Sequence, residues 1–93
     1  MPAESRVVLQ VEVKNVHGLH ARTAATLVKA ANRFQSEIEI EKDGNRVNGK
    51  SIMGVLMLAA GQGSVLTVSA EGPDAAEAMA ALSALFEAGF HEV

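Results

Sequence analysis

The feature that most constrains this chain is a hydrophobic period that switches repeatedly between two and about 3.6. Val7, Leu9, Val11 and Val13 alternate against Arg6, Gln10, Glu12 and Lys14, the signature of a half-buried strand. A loop over Asn15 to Leu19 follows, with Gly18 as its flexible point, and from Ala21 to Arg33 the pattern turns helical. Ala24, Leu27, Val28 and Ala31 there recur at spacings of three and four. Over Ser36 to Lys42, Ile38 and Ile40 face one way and Glu37, Glu39 and Glu41 the other. Strands with one polar face belong in an antiparallel sheet covered on one side only.

The remaining segments complete the order strand, helix, two strands, helix, strand, helix. Asp43-Gly44 is a hairpin signal, with a short returning strand over Asn45 to Asn48. Ser51 stands in the N-cap position of a short apolar helix, Ile52 to Leu58, which Gly61 and Gly63 end. Ser64 to Ala70 reads as a β-branched strand. Asp74 caps the last helix, with Glu77 three residues on in a capping-box arrangement and a core face of Ala75, Met79, Leu82, Leu85 and Phe86. The expected architecture is α+β, one antiparallel sheet with helices on one face. The 93 residues make a single domain over 1–93. Residues 1–5 are expected to form a disordered tail.

Composition removes several classes of function. There is no cysteine, so neither disulfides nor thiolate metal sites contribute. A net charge of −3, with no Trp or Tyr for base stacking, argues against a nucleic-acid partner. No basic and apolar leader opens the chain, and its longest apolar stretch is far short of the ~20 residues of a membrane span. These readings place the protein in the cytoplasm, away from membranes. His17 and His20 lack the spacing and the neighbouring carboxylates of a metal site, so none is expected.

The run from Gly44 to Ser51, Gly-Asn-Arg-Val-Asn-Gly-Lys-Ser, matches the phosphate-binding P-loop pattern in full. The strand before it alternates Glu with Ile, whereas a P-loop strand is buried on both faces and reads as continuously apolar. A hairpin accounts for the run better, and a nucleotide site is rejected.

The segment Gly18-Leu19-His20-Ala21-Arg22 places a histidine where strand gives way to helix. The first N–H groups of a helix lack intrahelical partners and favour negative charge. A neutral imidazole there is a nucleophile, and a phosphoryl group on it would meet those donors and the guanidinium of Arg22. The residues are equally compatible with a histidine that merely caps the helix.

Together with Asn48-Gly49-Lys50-Ser51-Ile52-Met53-Gly54-Val55, this segment resembles the HPr family, histidine-containing phosphocarriers of the bacterial phosphotransferase system. The resemblance runs over about residues 7 to 90. It implies an open-faced β-sandwich, a four-stranded antiparallel sheet with three helices on one face. It also implies that His20 takes a phosphoryl group from enzyme I through Nδ1 and passes it to an enzyme IIA, with Arg22 assisting. Such a chain is a carrier, not an enzyme, and needs no cofactor. By the same resemblance Ser51 is a regulatory phosphorylation site for a serine kinase and phosphorylase, and can be read by a transcriptional regulator. Ile52, Met53 and Leu56 form the apolar patch that docks partners, rimmed by Arg22 and Lys50, on a monomeric protein. Two further readings are a regulatory module acting through phospho-Ser51 alone and a carrier of a nitrogen-related branch.

Three departures stand out. Thr23 replaces the usual proline and restores an N–H in the first turn of the helix. His17 takes the place of a small polar residue. Gly49 replaces an apolar one and is expected to loosen the approach to the second helix.

Overall fold

Ile38 and Ile40 are fully buried and their glutamate neighbours are not, so the alternation read above does divide a sheet into a covered and an open face. The computed structural model describes residues 5–92. Strands β1 (Ser5–Glu12), β2 (Glu37–Lys42), β3 (Asn45–Asn48) and β4 (Val65–Gly72) form one antiparallel sheet in the order β1-β4-β2-β3. Helices α1 (Ala21–Ala31), α2 (Ile52–Met57) and α3 (Ala75–Glu87) complete an open-faced sandwich. Its aliphatic core joins Leu27 of α1, Val55 of α2 and Leu82 and Phe86 of α3 to Ile38, Ile40, Leu66 and Val68 of the sheet. On the open face Arg46 lies between Glu39 and Glu41 at 3.7 and 3.6 Å. The expected tail lies outside the described residues except for Ser5, which opens β1 opposite Gly72.

One feature of the strands departs from the sequence reading. Leu9 is exposed, and Val7 and Val11 are only partly buried. β1 is an edge strand whose one neighbour is β4, so cover reaches it from one side only. The hairpin read at the start of the P-loop-like run is present as expected: Asp43 and Gly44, both with positive φ, turn β2 into β3, which pairs with it. That conformation twists with the flanking strands and favours the Asp-Gly pair.

Helix ends depart more. Ser51 caps α2 as expected, its Oγ accepting from the Gly54 N–H at 3.1 Å. The helix ends at Met57, and the reversal falls at Ala59, with φ of 50°, ahead of Gly61 and Gly63. Asp74 is the N-cap of α3, but its side chain makes no capping hydrogen bond. Its carboxylate instead accepts from the Ser36 N–H and hydroxyl at 2.9 and 2.6 Å and from the Gln35 N–H at 3.0 Å. The Ser36 hydroxyl and the Gln35 N–H hold that carboxyl below its usual range. The loop before β2 offered better donors than the helix's own first turn.

Gly49 tightens the fold where loosening was expected. Its N–H donates to Ile38 O at 2.8 Å, and a Cβ there would lie 2.6 Å from Ile38 Cγ2. Gly18 has φ of +68°, and a Cβ on it would lie 2.5 Å from Ala60 O. The next N–H, of Leu19, donates to that same oxygen at 2.8 Å, pinning the loop before α1 against the loop after α2. Gly18→Ala therefore meets both left-handed strain and a backbone clash. It should lower stability by about 1–3 kcal/mol in denaturant unfolding.

Candidate functional site

His20 is the N-cap of α1, with extended backbone at φ −97° and ψ −173°. Its carbonyl accepts from the Ala24 N–H at 2.8 Å. Thr23 closes the cap from the other side, its Oγ1 accepting from the His20 N–H at 3.0 Å and donating to Gly18 O at 2.8 Å. Threonine thus adds a reciprocal capping contact, where sequence reasoning credited it with an N–H donor alone. The His20 ring is fixed by the same turn. Its Nδ1 faces the Arg22 N–H at 3.3 Å, so the lone pair of the neutral ring is on Nδ1 and the proton on Nε2.

Nε2 points to a residue that the sequence did not suggest. Glu92 Oε2 stands 2.9 Å from it and accepts from Arg22 Nη2 and Nε at 2.8 and 3.2 Å. The other carboxylate oxygen accepts from Asn15 Nδ2 at 2.9 Å. Only a tenth of the Glu92 side chain is exposed, against a third of His20 and three quarters of Arg22. The Arg22 hydrogen bond is the main reason the Glu92 carboxyl falls from 4.5 to about 2, with Asn15 and His20 adding to it against the desolvation that opposes it.

Glu92 reaches the site because Phe90 is buried and packs edge-on to Phe86 at 5.1 Å. Around Phe90 the chain makes a 3-10 turn, Gly89–His91, with φ of 56° at Phe90 and 60° at His91. The segment carrying Glu92 is docked by this aromatic contact, which has no periodic signal in the sequence. Asn15 was legible only as a loop residue, and it is buried. His17 lies edge-on to His20, ring centres 6.2 Å apart. It lines an open cleft with Arg22, Thr26 and His91.

Ser51 lies apart from the histidine. α1 and α2 pack side by side, with Asn32 at the far end of α1 donating to Lys50 O at 3.2 Å. His20 and Ser51 are therefore at opposite ends of an 11-residue helix, about 16 Å long at 1.5 Å per residue. Ile52, Met53 and Leu56 are exposed by 44, 72 and 36%, and Met57, which the sequence reading omitted, by 76%. Lys50 does not rim this patch as expected, because its Nζ is drawn back to Phe34 O at 2.7 Å.

Residues 7–88 match the family model for the PTS HPr component phosphorylation site. The chain belongs to the HPr family. It is 51% identical over 86 residues to the phosphocarrier protein HPr of Treponema pallidum, covering 92% of this chain and 98% of that one. It is 60% identical over 78 residues to an HPr-like protein Crh of Halalkalibacterium halodurans, covering 84 and 93%. The crystal structure of HPr-C-His from Thermoanaerobacter tengcongensis superposes with a TM-score of 0.91 at 48% identity, covering 94 and 98%. The protein is thus a phosphocarrier of the phosphotransferase system and not itself an enzyme, and HPr membership implies interaction with enzymes such as enzyme I and enzyme IIA. No helix among the described residues is long and apolar enough to cross a membrane.

A depressed carboxyl stabilises the folded state above its unfolded pKa and loses that contribution as pH falls through its folded one. The docking of Glu92 should be intact above pH 4.5 and decline toward about pH 2. Amide exchange at Phe90 to Glu92 should rise over that interval before the core opens.

Proposed function

We propose that His20 is the phosphoryl-accepting residue, taking the group on Nδ1 from phosphorylated enzyme I and yielding it to an enzyme IIA. The observation that carries this reading is the Nδ1 lone pair held at the N-terminus of α1, beside the Arg22 N–H. Helix-end donors and the exposed Arg22 guanidinium meet the dianion in an open setting. An exposed site suits a carrier, because clamping the intermediate would raise the barrier to the next transfer.

Ser51 is a regulatory site, its phosphate set by an ATP-dependent kinase, removed by a phosphorylase and read by a transcriptional regulator. The neighbouring Ile52, Met53 and Leu56 receive partner surfaces, and a phosphate of about −1.5 to −2 charges beside them repels acidic partners. The whole of 1–93 acts as one domain, monomeric and cytoplasmic. A second reading is a regulatory module acting through phospho-Ser51, in keeping with similarity to an HPr-like protein as well as to HPr itself.

Phosphoenolpyruvate and enzyme I should label the chain with an acid-labile, alkali-stable phosphate that His20→Ala abolishes. Label surviving in that variant overturns the assignment, and a chain never labelled favours the regulatory module. Met53→Glu should raise the enzyme I concentration for half-maximal labelling roughly tenfold, about 1.4 kcal/mol.

A further inference from the structure

Glu92 lies beyond the 7–88 span of the family match, yet it is the acceptor for three side chains of the site. We infer that Glu92 is a positioning residue for phosphoryl transfer, fixing His20 in the Nε2–H form and balancing the positive charge its ring gains when Nδ1 is phosphorylated. The inference rests on the carrier reading of His20.

The charge follows from the bonds. The Nδ1 lone pair forms a bond to phosphorus while the bond from phosphorus to the donor's imidazole nitrogen breaks, its electron pair staying on the donor ring. His20 keeps its Nε2 proton throughout and so becomes a phosphoimidazolium cation as the donor ring becomes neutral. Donation reverses these changes. If the cation instead lost its Nε2 proton, later cleavage would have to expel an imidazolate anion, a far poorer leaving group. A carboxylate 2.9 Å from Nε2 opposes that loss. It has the geometry of the carboxylate that orients a catalytic histidine and stabilises its imidazolium.

The surroundings suit this role. Glu92 is nearly buried, so solvent and salt screen its effect on the ring less than they would an exposed charge. The Arg22 N–H keeps a proton off Nδ1 from the helix side while Glu92 holds one on Nε2 from the other. The other charged or titratable groups around the ring are the Arg22 guanidinium on α1, His17 in the preceding loop, and His91 beside Glu92. Of these four residues only Glu92 brings negative charge. Arg22, mostly exposed and held by Glu92 at its inner end, is placed to turn toward a dianion on Nδ1.

The test is a pH titration of the His20 ring by nitrogen-15 NMR in the full chain, unphosphorylated and phosphorylated. Glu92→Gln should lower the proton affinity of the phosphorylated ring about tenfold. Transfer to enzyme IIA should slow to a similar degree at alkaline pH. Glu92→Asp, which keeps the charge, should recover most of both, and unchanged amide shifts along α1 would exclude misfolding. Ring titration unmoved by Glu92→Gln, or no recovery in Glu92→Asp, would overturn the inference while a labelled His20 left the carrier reading standing. A wild-type chain that enzyme I never phosphorylates would overturn both.

Discussion

The carbonyl of Gly18 is the point on which the site depends. It accepts from the Thr23 hydroxyl and the Asn15 amide, each at 2.8 Å, and from the His20 N–H at 3.1 Å. Glycine's positive φ turns that oxygen inward, and the absence of a Cβ lets Ala60 approach from the other side. One backbone acceptor thereby fixes where α1 begins, how its N-cap is oriented and where Asn15 presents its amide to Glu92. The histidine is partly exposed, but the turn that aims it is not: Thr23 and Asn15 are both buried.

Two kinds of electrostatics converge on the imidazole. Backbone N–H groups favour negative charge at Nδ1, and a side-chain carboxylate favours positive charge at Nε2. A phosphohistidine carries both, a dianion on one nitrogen and a proton on the other. The low pKa of Glu92, about 2, shows that its charge is already well supported before any phosphoryl group arrives. The donors responsible, chiefly Arg22, are the same groups that the dianion would recruit. Arg22 thus connects the two nitrogens, at little cost because most of its side chain remains solvated.

Much of this was legible in the chain, for identifiable reasons. Ile38 and Ile40 alternate with glutamates because only one face of the sheet is covered, and the same period marks β4. The Leu27 and Val28 stripe and the Ser51 cap are local patterns, and they appear where they were expected. Leu9 failed because alternation reports which way a side chain points, not how far the layer above extends. Asp74 failed because a capping box is a local option, and two N–H groups and a hydroxyl 38 or 39 residues away competed successfully for the carboxylate. Lys50 failed alike, taken by the Phe34 carbonyl.

Sequence alone determined the succession of elements, the histidine at a helix start, and the membership that makes the chain a phosphocarrier. These rest on periodicity and short motifs, which act over one turn of helix or one hairpin. Tertiary structure decided that Ser51 and His20 stand at opposite ends of α1 and that a residue 72 positions away completes the histidine's surroundings. The contact with Glu92 depends on the packing of Phe90 against Phe86, on two left-handed residues in a turn, and on a gap beside α1 wide enough for a carboxylate. None of these has a local signature, because each comes from the mutual placement of elements rather than from the preferences of the residues within them.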